Sequence, residues 1–478
     1  MKKHALSTSV ALGLLASFGC GDNPRGGDDE VGDGPTSGVA TLEGGEGEGE
    51  GESGSQDGST TQDEADATDS GPTTDSGPTT SDDDPSDSGP SPKFDLGIVP
   101  DAGHFGCGNG GGGGGDDPEF SYLWAANSSQ GTISKLDTKT VTEVGRYIVR
   151  PDSAGSPSRT SVNRYGDVAV ANRLGGVTKV YGSQVRCQDT NGELGIQSSN
   201  GAGDIRPWGS DECLAWHTEL PHGDNRPVAW TNGTFNDQTC EYEDLDVWTA
   251  WSDWAPGTAV VALLDGDDGS IIQEVPIPDL PQPWPGWYGF YGAAVDAQDN
   301  VWLSQLQGSN PQQSWLVRVN RDDFTYDVFP VPDEGGYGMT VTSEGYVWIC
   351  GRITRRFNPQ TQQWTNVPLA PNGSVHTGGC MGDGNGVLYR GTYGQVHGID
   401  TLTMEIVKVL DVGQPGDDYI WGVAVDFDGY VWAVPRNSSR AYKVDPATNT
   451  IVTTVEGLVS AYTYSDMTGF ALLNVNPG

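Results

Sequence analysis

The stretch "WGVAVDFDGYVWAVPR", from Trp421 to Arg436, decides the fold, because the chain writes it more than once. "YGAAVDAQDNVWLSQL" begins at Tyr291 and "YGMTVTSEGYVWICGR" at Tyr337. "SRTSVNRYGDVAVANR" from Ser158 and "TGGCMGDGNGVLYRGT" from Thr377 align with it without a gap. Each copy has a short apolar run, a turn rich in Gly, Asp or Asn, and a second run that usually carries an aromatic residue. Such a pattern predicts a β-hairpin. A third strand with its own turn follows ("AYKVDPATNT"), then a fourth ("IVTTVEG"), so the unit is a four-stranded antiparallel meander.

Repeat starts at Tyr291, Tyr337, Thr377, Trp421 and Tyr464 lie 46, 40, 44 and 43 residues apart. That period, with four strands per unit, is the signature of propeller blades, which bury their faces on one another. The segment "SYLWAANSSQGTISKLDTKTVTEVGRY" from Ser121 supplies the second, third and fourth strands of a blade. "YTYSDMTGFALLNV" from Tyr462 supplies a first strand. Together they predict an all-β, seven-bladed β-propeller over residues 119–478, closed by its last strand joining its earliest ones. Units beginning near Ser158 and Arg226 complete the count.

Residues 21–118 are different. From Gly21 to Lys93 there are 20 acidic residues, two basic ones and no aromatic. This composition cannot bury enough apolar surface to offset chain entropy, and predicts a disordered acidic and Gly-rich linker. Residues 1–20 read as a lipoprotein-type signal peptide: Lys2 and Lys3, a short apolar run, then Cys20 as the lipidated residue. The expected location is therefore the bacterial outer membrane or cell surface, held by the lipid anchor alone; secretion or a periplasmic location is the alternative. No later segment reads as membrane-spanning. The head, residues 94–478, carries 21 basic against 46 acidic residues. Such a field excludes nucleic acid as a partner. A small molecule or a protein remains as partner, with the chain itself a monomer.

An insertion at about 186–245, made of a long excursion after "VTKVYGSQVRC" and a second one, "TNGTFNDQTCEYED", interrupts the repeat and holds Cys187, Cys213 and Cys240. In an exported chain these are disulfide candidates; Cys350 and Cys380, on strands of adjacent blades, are candidates too and could pair with each other, while the connectivity as a whole stays open. The partner of Cys107 stays open. "DTNGELGI" from Asp189 has a calcium-loop spacing at Asp189, Asn191 and Glu193, with Asp211 and Glu212 available as further carboxylates. The alternative is an acidic surface loop. Second-strand ends align Asn127, Arg173, Arg352, Arg390 and Arg436 around one rim of the channel, a pattern suited to an anionic or carboxylate-bearing ligand. The competing reading pairs these arginines with turn aspartates such as Asp296 and Asp426. His376 stands just before a first strand on the same rim.

The pattern GxAVDxDGxVW, clearest from Gly422 to Trp432, resembles the streptogramin B (virginiamycin B) lyase-like propellers and the related NHL-type repeats. That resemblance implies elimination at the ester of a cyclic depsipeptide, with a histidine base, a glutamate and Mg²⁺ at the channel mouth. His376 would be the base. The second strands here end in "VWLSQ", "VWICG" and "VWAVP", without the glutamate of the lyase repeat. The leading expectation is thus a surface-anchored binding propeller. A metal-assisted lyase and a purely structural envelope protein are the alternatives. The metal would be structural Ca²⁺, or Mg²⁺ in a lyase.

Overall fold

The computed structural model describes residues 120–475, apart from 222–224, 254, 281–288, 307–313, 333–335, 352, 369–377 and 418. Cys20 and the signal segment, the acidic linker, Cys107, Arg352 and His376 lie outside the described residues.

The described residues form a β-propeller of four-stranded antiparallel blades. Gly292–Val295, Val301–Ser304, Ser314–Val319 and Tyr326–Val331 make one up-and-down sheet. Gly338–Val341 to Gln363–Asn366 and Cys380–Gly382 to Ile406–Asp411 make two more of the same order. A fourth combines Val228–Trp230, Val247–Trp251, Val260–Leu264 and Ile271–Pro276. Burial falls from first strand to fourth: Ile420–Val425 is buried throughout, whereas Ile271–Pro276 is exposed at five of six positions. First strands line the axis, and fourth strands face water.

The repeated Asp, Gly and Trp belong to one device. In the first hairpin turn, Asp426 Oδ1 accepts the backbone N–H groups of Asp428 (3.1 Å) and Tyr430 (2.9 Å). Its Oδ2 accepts the indole Nε1–H of Trp432 at 2.9 Å. Asp296 repeats this with Gln298, Asn300 and Trp302. Gly429 sits at φ 81°, left-handed, where a side chain is strained; Asp299 holds the same place at φ 60°. Trp124, Trp248, Trp302, Trp348 and Trp432, all on second strands, are buried to 1 % exposure or less, so an indole N–H there needs an acceptor. The Tyr337 repeat has Thr342 where Asp296 and Asp426 stand in their repeats, and there Thr342 Oγ1 and Trp348 Nε1 are both buried without a hydrogen bond among the described residues.

Two expectations need correction. The last segment is not one strand through Val475. Asn127 pairs with Ala461, Tyr462 N–H donates to Ala126 O and Trp124 N–H to Met467 O, so the chain runs antiparallel to Tyr122–Asn127 that far. Asp466 Oδ1 then accepts Thr468 and Gly469 N–H, Gly469 turns at φ 92°, and Phe470–Val475 becomes a short helix. Tyr464–Ser465 also pairs, in parallel, with Pro157–Val162. Part of the first excursion belongs to a blade. Leu214–Thr218 inside it is the fourth strand of the Pro157–Val162 sheet, and a small hairpin, Thr234–Asn236 with Glu241–Glu243, separates Val228–Trp230 from Val247–Trp251. Cys187 pairs with Cys213, closing the first of these loops, and Cys240 is also disulfide-bonded. The Cys350–Cys380 bond joins adjacent blades.

Two stability predictions follow from this packing. Thr342→Asp gives Trp348 the acceptor that its sister blades have, and is expected to raise stability by about 1 kcal/mol in urea unfolding; a loss of stability would show that the buried threonine is preferred. Replacing Cys350 and Cys380 together by Ser opens a loop of separation 30 and is expected to cost about 3–4 kcal/mol, read as a lower urea midpoint.

Candidate functional site

The strand order puts the connections before first strands and after second strands on one rim. Five aromatic residues close the channel there. Tyr291, Tyr337, Trp421, Tyr462 and Tyr464 form one buried cluster, each exposed by 7 % or less. Tyr337 Oη donates to Tyr462 Oη (2.7 Å), which lies 2.9 Å from Tyr291 Oη. The rings of Tyr291 and Tyr464 stack at 5.7 Å, and Trp421 meets Tyr337 at 4.7 Å.

Cations sit on this cluster. The Arg159 guanidinium, fully buried, lies 3.7 Å from the ring centre of Tyr464 and 4.7 Å from that of Tyr291. It donates to Ser465 Oγ (2.6 Å) and to the carbonyl of Tyr337 (2.8 Å), and makes no ion pair among the described residues. Arg173 stands 4.5 Å over Tyr462, Arg436 4.5 Å over Trp421 and Arg226 4.9 Å over Tyr291. At Arg159, ring quadrupoles thus supply negative potential of the kind that carboxylates usually provide.

Of the residues expected at this rim, Arg173 and Arg436 are on it and half-buried. Arg173 uses Nε and Nη2 on Ser156 Oγ. Its Nη1 has no hydrogen bond among the described residues. Arg390, buried at the same rim, donates to Thr354 Oγ1 (2.7 Å) and lies 3.4 Å from His397 Nδ1; burial pushes its guanidinium down to about 10. Asn127 is not a ligand-facing residue. It is fully buried, donating to Thr132 and Ser134 hydroxyls and accepting Val459 N–H, and thereby ties strand ends together. The turn aspartates do not take the rim arginines: the cation near Asp426 is Lys443 (3.4 Å) and that near Asp296 is Arg318 (3.9 Å).

The calcium-loop residues do not converge. Asp189 Oδ1 accepts Gly192 N–H and Asn191 Oδ1 accepts Glu193 N–H, both turning outward. Glu212 instead turns inward, accepting N–H groups of Thr190, Asn191 and Gln197, and Asp211 accepts those of Ser199 and Cys213. Backbone donors use up the carboxylates that a cation would need. Among the described residues no group of three or more His, Cys, Asp or Glu is placed to hold a metal.

The aromatic cluster and Arg159 went unread in the sequence, although the signal was present. Tyr291, Tyr337, Trp421 and Tyr464 are the first letters of four aligned repeats, and Arg159 is the second letter of a fifth.

At the far end of the axis, Phe470, Leu472 and Val475 of the short helix each join a different apolar cluster. Beside them Asp466 lines a small cavity of about 30 Å³, and burial pushes its carboxyl up to about 6. A carboxyl raised above its unfolded value near 3.8 stabilises most below that pH, and the contribution is lost as pH rises through 6. His397, pushed down to about 4 by burial and by Arg390, does the reverse: its contribution is present above 6.5 and lost as pH falls towards 4. Asp466→Asn is therefore expected to gain on the wild type by about 2 kcal/mol between pH 4 and pH 7, on top of a constant loss from the missing acceptor. Parallel denaturation curves at both pH values check this.

No known protein-family profile matches the chain, and no curated protein does. Solved structures similar to it include apo AztD from Citrobacter koseri, 13 % identical, covering 72 % of this chain and 96 % of that one at a TM-score of 0.44. The Neurospora crassa Pan2 WD40 domain is 12 % identical, covering 66 % and 83 % at 0.45. Virginiamycin B lyase from Staphylococcus aureus is 14 % identical, covering 62 % and 83 % at 0.41. The propeller rests on the chain's own strand pairing, and these likenesses add nothing about activity.

Proposed function

We propose that the protein is an exported, lipid-anchored binding propeller whose arginine and aromatic rim takes an anionic ligand. One observation carries the reading: Arg159, Arg173 and Arg390, at one rim of a strongly acidic head, have no ion pair among the described residues. A buried or half-buried guanidinium without a counter-charge is a costly arrangement unless something compensates it. Arg173, with an unused Nη1 above Tyr462, is the outermost of the three, and a carboxylate or phosphate matches its fork.

The same proposal takes the ring as seven-bladed and closed by the tail. Inner strands neighbour one another in the order Pro157–Val162, Val228–Trp230, Gly292–Val295, Gly338–Val341, Cys380–Gly382, Ile420–Val425, Tyr464–Ser465 and back to Pro157–Val162, which supports that count. Kinship with the streptogramin B lyase-like propellers is carried by the GxAVDxDGxVW repeat alone. Lipid attachment at Cys20 and an outer-membrane or surface location are carried by the leader and the acidic spacer.

Titration calorimetry of the full-length chain with citrate and with inorganic phosphate tests the ligand class. Binding by either is expected to weaken about tenfold in Arg173→Gln, with the unfolding midpoint unchanged. Equal affinity in wild type and variant would remove the rim from consideration. Labelled palmitate is expected to enter the wild-type chain in a lipoprotein-processing host and not Cys20→Ser.

A further inference from the structure

The opposite rim carries a different site. Between the Cys380–Gly382 and Ile420–Val425 blades lies a cavity of about 510 Å³, within the size range of small-molecule sites. Its walls include Tyr389, Phe427, Tyr430 and Phe470, with Asp383 at its edge.

The fold puts Asp383 at the turn position held by Asp296 and Asp426, one residue later than the gap-free alignment of the repeats: its N–H donates to Val387 O as that of Asp426 does to Tyr430 O. Like them it folds Oδ1 over its own turn, accepting Asn385 N–H (2.8 Å) and Val387 N–H (3.0 Å). In the sister blades Oδ2 then receives an indole N–H at 2.9 Å, from the residue six positions on. Here that residue is Tyr389, which has no N–H to give, and Asp383 Oδ2 has no hydrogen-bond donor among the described residues. One blade has kept the acceptor, lost the internal donor, and opened onto a cavity.

The surroundings indicate what would replace the donor. Lys443 stands 4.1 Å over the Tyr430 ring, so one wall already accepts an ammonium on its face. That lysine is committed to Asp426 (3.4 Å) and to the carbonyl of Thr138 (2.8 Å), and Lys408 nearby donates to Pro446 O (2.6 Å). The lining carboxylates Asp383 and Asp428 are opposed by Lys139 at the exposed edge. The head's negative field also concentrates cations at its surface. We infer that this inter-blade cavity binds a small organic cation, a protonated amine carried on an aromatic or apolar body. Its N–H reaches Asp383 Oδ2 and its body packs against Tyr389, Phe427 and Phe470.

The experiment uses three probes of one shape on the full-length chain: 2-phenylethylamine, 2-phenylethanol and 3-phenylpropionate, by titration calorimetry. The amine is expected to bind, and the alcohol and the acid to bind at least about tenfold more weakly. Asp383→Asn is expected to lose about tenfold for the amine alone. Tyr389→Trp restores the donor that the sister blades have; it is expected to raise the melting temperature and to abolish amine binding, so a folded variant is available in either case. Equal binding of amine and alcohol, or an unchanged affinity in both variants, overturns the proposal. Arg173→Gln is expected to leave amine binding as it was, which separates this site from the anion rim.

Discussion

A four-stranded sheet with two apolar faces is unstable alone, and every other feature of this chain answers to that constraint. Neighbouring blades must cover each face, so the second strands present large indoles to the interface and the turns must accept their N–H groups. The Asp426–Trp432 hydrogen bond serves both needs: one carboxylate shapes the turn and satisfies the buried ring beside it. Where the pair is broken, as at Thr342 and Trp348, buried polar atoms are left unpaired. Where only the ring is changed, as at Asp383 and Tyr389, an acceptor is released towards open space.

The two ends of the axis are sealed by different chemistry. At one end, tyrosines and a tryptophan carry arginines on their faces, with Arg159 fully buried and compensated by rings, a hydroxyl and a carbonyl. At the other, apolar side chains of a six-residue helix fill the middle, and Asp466 holds the turn that starts it. An acidic exterior and a cationic, aromatic interior at one rim give the molecule an internal polarity that net charge alone conceals.

The sequence made the blade legible because hairpin turns and alternating strands are local. The spacing of Tyr291, Tyr337, Thr377 and Trp421 fixes the unit, and Cys350 with Cys380 could be paired from neighbouring blades. The site was less legible, because its members come from different repeats and meet only across the axis. Arg173 and Arg436 could be placed by alignment, but nothing near them in sequence says that Tyr462 and Trp421 lie beneath. The surroundings of the calcium-like spacing were illegible for the same reason: Asp189 and Asn191 have suitable spacing, yet Glu212 is already engaged by backbone donors brought over by the fold. Gly469 after Asp466 was a readable stop signal within the final strand.

The hydrogen bond from Val459 N–H to Asn127 Oδ1 spans 332 positions, and the Ala126 to Tyr462 and Trp124 to Met467 bonds lie beside it. Contacts that distant in sequence form only after nearly the entire polypeptide has emerged, so Tyr122–Asn127, paired early on one side with Thr132–Asp137, waits with its other edge uncovered throughout synthesis. Such a delay keeps that edge of the growing chain open, and the sheet is completed only once its last segment has arrived.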